Sequence, residues 1–208
     1  MLSKSPVLPV LMINDISHAL PLARALLEGG LPVLEITLRT ACAMQAIKLI
    51  TNELPEAIVG VGTVTRPEQF EEARNAGAQF AVSPGLTPAL IRASRAIDMP
   101  FLPGVFTPSE AMIARDEGFN TLKLFPAEQA GGIGMLKAIG SPVPELKFCP
   151  TGGIGPSSLQ QYLKLPNVIC VGGSWVSPAQ AMQSGNWKQI TKLAAEAVAA
   201  AANIAGSN

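Results

Sequence analysis

The sequence predicts a single-domain α/β protein, a (β/α)8 TIM barrel spanning residues 1–208, on three observations. Short apolar, β-branched runs alternate with longer segments of helical period, the strand-like runs number eight, and no linker interrupts the alternation. The 208 residues leave about 26 for each strand, helix and pair of loops, which is close to the minimum for such a unit and leaves no room for a second domain.

The strand candidates are residues 7–13, 33–39, 57–63, 80–84, 100–103, 121–125, 147–151 and 168–172. Between them, segments such as 18–27, 67–75, 88–96 and 157–163 carry apolar residues at helical spacing, several with Pro near the first turn and Gly after the last. The Ala-rich stretch 190–202 reads as a final helix and 203–208 as a frayed tail. An open doubly wound sheet is the alternative, but a dinucleotide-binding version would open its first helix with G-x-G-x-x-G, and Asn14-Asp15-Ile16-Ser17 stands there instead.

Composition narrows the function. Hydrophobic residues make up 48% of the chain and charged residues 14%, enough apolar surface for a substantial core. The 15 basic and 15 acidic side chains cancel, and no Lys/Arg run with interleaved aromatics appears, so neither a nucleic-acid partner nor a membrane surface is expected. No segment has the roughly 20 unbroken apolar residues of a spanning helix, and residues 7–13 are too short for a signal-peptide core, so the expected compartment is the cytoplasm. Cys42, Cys149 and Cys170 are odd in number and widely spaced, and read as reduced structural thiols. The single histidine, His18, reads as a surface or capping residue, and with no Cys/His/carboxylate cluster at ligand spacing no metal site is expected.

Alternate residues of a barrel strand face the interior or the helices, and chemistry collects at strand C-termini. In residues 33–39, Leu34, Ile36 and Leu38 share the helix-facing side, so Glu35, Thr37 and Arg39 point inward. A structural Glu35–Arg39 ion pair is the plain alternative, but residues four apart on a strand are separated by about 13 Å. In residues 121–126 the same period sends Leu122 and Leu124 outward and Thr121, Lys123 and Phe125 inward. An unpaired ammonium in the interior costs several kcal/mol, so Lys123 either pairs with a carboxylate, for which Glu35 is available, or works as a neutral nucleophilic amine. Parity with Val59 and Val61 places Thr63 inward as well, within reach of a carboxylate ligand.

Two glycine-rich turns follow the last two strands: Thr151-Gly152-Gly153 and Gly172-Gly173-Ser174. Loops at these positions commonly bind phosphate, because bare glycine amides approach its oxygens and a helix N-terminus points at them. Read plainly they are turns, as are Gly60-Val61-Gly62-Thr63 and Ser83-Pro84-Gly85, where small or rigid residues let backbone approach a ligand.

Seven motifs, in order, carry a resemblance along nearly the whole chain: Glu-Ile-Thr-Leu-Arg-Thr from Glu35, Val-Gly-Val-Gly-Thr from Val59, Ser-Pro-Gly from Ser83, Pro-Gly-Val from Pro103, Lys-Leu-Phe-Pro-Ala-Glu from Lys123, Cys-Pro-Thr-Gly-Gly-Ile from Cys149 and Gly-Gly-Ser-Trp from Gly172. The sequence resembles the 2-keto-3-deoxy-6-phosphogluconate (KDPG) and 4-hydroxy-2-oxoglutarate (KHG) aldolases, class I aldolases of barrel fold. The resemblance implies that Lys123 forms a Schiff base, Glu35 is the general acid/base, and Arg39 with Thr63 holds the pyruvate carboxylate. It places Pro84 and Phe125 in the pocket wall and the phosphate on Gly152, Gly153 and Ser174, with Thr151, Gly172 and Gly173 completing the two turns. It implies no cofactor, a phosphorylated 2-keto-3-deoxy sugar acid as substrate, and a homotrimer. A same-fold sugar-phosphate epimerase or isomerase, which would want paired acid/base groups or a metal, and a non-catalytic sugar-phosphate binding protein are the rivals.

Overall fold

The structure is a computed structural model that describes residues 2–205. Strands and helices alternate as the periodicity requires: β1 (Val7–Leu11), α1 (Ala19–Glu28), β2 (Val33–Thr37), α2 (Ala43–Glu53), β3 (Ile58–Gly62), α3 (Glu68–Asn75), β4 (Phe80–Val82), α4 (Pro88–Ile97), β5 (Phe101–Leu102), β6 (Gly104–Val105), α5 (Pro108–Asp116), β7 (Thr121–Leu124), α6 (Gly132–Gly140), β8 (Lys147–Phe148), α7 (Pro156–Leu163), β9 (Val171–Gly173), α8 (Ala179–Gln183) and α9 (Trp187–Ala205). Pro at the first turn and a threonine before it start α4 and α5; Thr107 and Glu110 close a reciprocal capping box on the latter.

The result is an α/β fold built on curled parallel sheet, in two pieces: six strands ordered β5-β4-β3-β2-β1-β9 and three ordered β6-β7-β8. The strand expected at 100–103 is therefore corrected to two short ones. Pro103 divides them because it has no N–H for the ladder, while its carbonyl still accepts from the Lys123 amide at 2.9 Å. Pro150 shortens β8 in the same way, leaving two isolated parallel bridges, Phe148–Val168 and Thr151–Gly172, between the β8 and β9 regions. The expected frayed tail also needs correcting: residues 203–205 continue α9, and 206–208 lie outside the described residues.

Side-chain parity organises the core. Leu34 and Ile36 of β2, Val59 and Val61 of β3, and Leu122 and Leu124 of β7 are buried against Leu22, Leu26, Ile47 and Leu136 of the helices. The opposite face holds a separate cluster of Leu8, Val33, Phe80, Val82, Leu102, Cys149 and Cys170. Along β2 the inner positions therefore run from apolar Val33 through Glu35 to Thr37, so the polar chemistry sits on an apolar plug near the C-terminal ends of the strands.

Candidate active site

An ion pair is buried in the interior. Lys123 Nζ lies 3.2 Å from Glu35 Oε1, with the two residues 5% and 0% exposed. One stands on β2 and the other on β7, in different sheets, so the bond crosses the interior. Room for it comes from β3: a Cβ on Gly62 would overlap the Glu35 carboxylate, and one on Gly60 would overlap the Phe80 ring. These two glycines thus make room for interior side chains. Glu35 Oε2 is buried and bonds to no protein group among the described residues. A buried pair stabilises a fold only when its remaining lone pairs are satisfied, so this one is not built for stability alone. The Phe125 ring completes the surroundings, its centroid 5.3 Å from Nζ.

One step further along the same two strand faces, Thr37 and Phe125 line a cavity of about 750 Å³ together with Arg39, Thr151, Gly152, Gly153, Gly172, Gly173 and Ser174. Lys123 and Glu35 are not in the lining; they lie one inward-facing position deeper on the same strands, a buried floor beneath it. Arg39 follows the end of β2, exposed at the cavity edge and in no ion pair among the described residues. Thr37 is spent on structure, its hydroxyl donating to the Leu11 carbonyl at 2.8 Å.

Two expected residues are not in this wall. Thr63 is half-buried just past β3 with φ 60°, and the parity argument that placed it inward is corrected: Val59 and Val61 face the helices, Gly60 and Gly62 face the interior, and the left-handed turn at Thr63 ends the alternation. Pro84 sits in a turn held by Ser83, whose hydroxyl donates to the Gly85 carbonyl at 2.6 Å and accepts from the Gly104 amide at 3.4 Å.

The opposite wall consists of backbone. Gly152 and Gly153 have φ of 104° and 81°, a region that disfavours any side chain. The carbonyls of Thr151 and Gly152 are turned away to accept from the amides of Ala127 (2.8 Å) and Glu128 (3.2 Å). The amides of Gly152, Gly153 and Ser174 donate to no protein group among the described residues, which leaves three donors on the turns beside the cavity. Space that side chains would take at these glycines is filled by protein: Glu128 at Gly153, Thr151 at Gly172 and the Trp175 ring at Gly173.

Sequence reasoning missed part of the rim. His18 occupies the N-cap position of α1, without a side-chain cap bond, and also lines the cavity, half-buried, with its ring 5.5 Å from that of Trp187. Asn14, Asp15 and Trp175 also line it. Hydrogen bonds from the Ser17 hydroxyl and amide hold the Asp15 carboxyl below the usual range. The signal available was position, since residues 14–18 follow the first strand at its C-terminal end. Among the described residues no group of three or more His, Cys, Asp or Glu side chains is arranged to hold a metal ion. The three cysteines are free; the neighbouring Cys149 thiol and burial hold the Cys170 thiol well above its ordinary range.

Residues 1–193 match the family described as KDPG and KHG aldolase. The chain belongs to this aldolase family. A 2-dehydro-3-deoxy-phosphogluconate aldolase of Dickeya dadantii is 52% identical over 200 residues, covering 96% of this chain and 94% of the relative. The crystal structure of KDPG aldolase from Legionella pneumophila, with pyruvate captured as a covalent carbinolamine intermediate, superposes with a TM-score of 0.92 at 49% identity, covering 93% of this chain and 94% of that one. A Zymomonas mobilis KDPG aldolase with 3-phosphoglycerate gives a TM-score of 0.89 at 47% identity, covering 94% and 92%. No helix among the described residues is long and apolar enough to cross a membrane.

Proposed function

We propose that this aldolase-family chain cleaves 2-keto-3-deoxy-6-phosphogluconate to pyruvate and glyceraldehyde 3-phosphate through a Schiff base on Lys123. The observation that carries the reading is the buried Lys123–Glu35 pair at 3.2 Å beneath a cavity edged by Arg39 at one side and by free backbone amides at the other. Lys123 passes a proton to Glu35 and its neutral amine attacks the C2 ketone. Glu35 returns that proton to the carbinolamine hydroxyl, which leaves as water, so an iminium stands opposite a carboxylate again. Glu35 takes the proton of the C4 hydroxyl, the electrons of the C3–C4 bond flow to the iminium, and glyceraldehyde 3-phosphate leaves. The enamine is protonated at C3, and hydrolysis releases pyruvate and the lysine. The free Oε2 gives Glu35 a second site for these protons.

Arg39 suits the substrate carboxylate because its guanidinium offers two parallel donors, with Thr63 assisting; Phe125 and Pro84 flank the reacting carbons. Thr151, Gly152, Gly153, Gly172, Gly173 and Ser174 form the phosphate end. The shorter 4-hydroxy-2-oxoglutarate, yielding pyruvate and glyoxylate, needs only the carboxylate and lysine ends. The reading extends to the architecture: one (β/α)8 domain closed through Pro103 and the β8–β9 bridges, assembled as a homotrimer in the cytoplasm.

Incubation with the phosphorylated substrate tests the reading. Pyruvate and glyceraldehyde 3-phosphate should appear in equal amounts, at a rate unchanged by prolonged dialysis against a chelator. Substrate epimerisation without pyruvate, or a loss restored by a divalent ion, would overturn it. Sedimentation at three times the chain mass checks the trimer, and monomeric active enzyme would refute it.

A further inference from the structure

The Lys-Leu-Phe-Pro-Ala-Glu run ends in a residue that the reaction leaves unused. Glu128 Oε1 accepts a hydrogen bond of 2.5 Å from the Tyr162 hydroxyl, and Tyr162, on α7, is 1% exposed. These two residues touch neither the cavity nor the lysine. They meet behind the turn that lines the cavity. The Glu128 amide donates to the Gly152 carbonyl at 3.2 Å, and a Cβ on Gly153 would lie 2.8 Å from the Glu128 Cβ. The Tyr162 hydroxyl in turn sits over the start of α6, where a Cβ on Gly132 would come within 2.7 Å of it.

We infer that Glu128 and Tyr162 are positioning residues for substrate recognition, a brace that fixes the direction of the free Gly152 and Gly153 amides and so sets the affinity of the site for the substrate's phosphate. Both glycines have left-handed φ, a region that glycine enters without strain and leaves as easily, so the turn's own covalent structure does not hold it. What holds it is the pair of carbonyl bonds to Ala127 and Glu128, with the Glu128 side chain packed against Gly153. Glu128 is itself exposed, and the Tyr162 bond is what stops its side chain from swinging into solvent. Burial and the adjoining carboxylate keep the phenol above its usual titration range, so it remains a donor throughout the neutral range. The chain leaves the glycine turn into α7 and returns at Tyr162, so both ends of the segment are tied to Glu128, the first through its amide and the second through its carboxylate.

The inference rests on the phosphate reading above, and the test separates the two. Steady-state cleavage of the phosphorylated substrate is compared with proton exchange at the methyl group of pyruvate, which needs the lysine and not the phosphate, in Tyr162→Phe, Glu128→Gln, Glu128→Ala and Ser174→Ala. Loss of one such hydrogen bond should raise KM for the phosphorylated substrate by about two- to tenfold in Tyr162→Phe, with kcat and exchange unchanged. Glu128→Gln, which keeps an acceptor for the phenol, should rescue most of the effect, whereas Glu128→Ala should not. Combining Tyr162→Phe with Glu128→Ala should add nothing to Glu128→Ala alone. Unchanged KM in Tyr162→Phe, or equal losses of cleavage and exchange, would overturn the brace while a phosphate-selective Ser174→Ala left the phosphate site standing. If Ser174→Ala also loses both activities alike, the phosphate reading falls and the brace with it.

Discussion

The floor and the rim of the cavity are made from opposite materials. At the floor, two charged side chains on rigid strands are removed from water and face each other at 3.2 Å. At the rim, the groups offered to a ligand are main-chain amides, those of Gly152 and Gly153 at left-handed φ, kept in place by packing from behind. Burial makes the floor chemically potent and intolerant, since a lysine and a carboxylate in low dielectric have no solvent to replace a lost partner. On the proposed reading the rim spreads phosphate recognition over several donors, so losing one should weaken recognition by a finite factor and leave bond-making intact. That reading gives catalysis to one end and selectivity to the other.

Breaking the floor should give the largest effect. Lys123→Arg retains a positive charge opposite Glu35 yet should abolish cleavage, because arginine does not deprotonate to an attacking amine; a coupled assay for pyruvate, alongside a melting curve showing folded protein, checks this. Glu35→Gln should slow both cleavage and exchange at the pyruvate methyl group by about 10²- to 10⁴-fold. Wild-type rates in that variant would reduce Glu35 to a structural partner of the lysine. At the rim, Ser174→Ala removes the side-chain hydroxyl, a further donor beside the main-chain amides, and should lower kcat/KM for the phosphorylated substrate by about ten- to two-hundredfold, with exchange untouched. Equal damage to both would erase the distinction between the two ends. The smallest effect belongs to the apolar plug beneath the floor: Cys170, buried and with its thiol held well above the ordinary range, should resist a thiol reagent near neutral pH until the protein is unfolded, while half-buried Cys42 reacts first. Mass spectrometry of the labelled peptides reads the order.

The same contrast governs how much could be read from the chain. Period-two alternation is a local property, and it placed Glu35, Lys123 and Phe125 on the inner face because β2 and β7 are regular through Glu35 and Lys123 and the ladder continues to the Phe125 amide, which donates to the Val105 carbonyl at 3.0 Å. It failed at Thr63, where φ of 60° breaks the period, and at residues 100–103, where a proline without an N–H divides the strand. The glycine turns were legible as candidate anion sites from their place after the last strands. Why those positions are glycine was not, because Glu128, Trp175 and Thr151 fill the space through contacts that depend on how distant segments pack. His18 escaped for the same reason: a helix-start residue becomes a cavity wall only once Trp187 of α9 is packed beside it.

If the amine at the floor becomes covalently bonded to substrate carbon, borohydride reduction in the presence of pyruvate should trap it. One stable adduct per chain is expected, located by peptide mass spectrometry at Lys123 and absent from Lys123→Arg. An adduct at half-buried Lys147, whose Nζ donates to the Pro166 carbonyl at 3.0 Å, or no adduct at all from active enzyme, would overturn this.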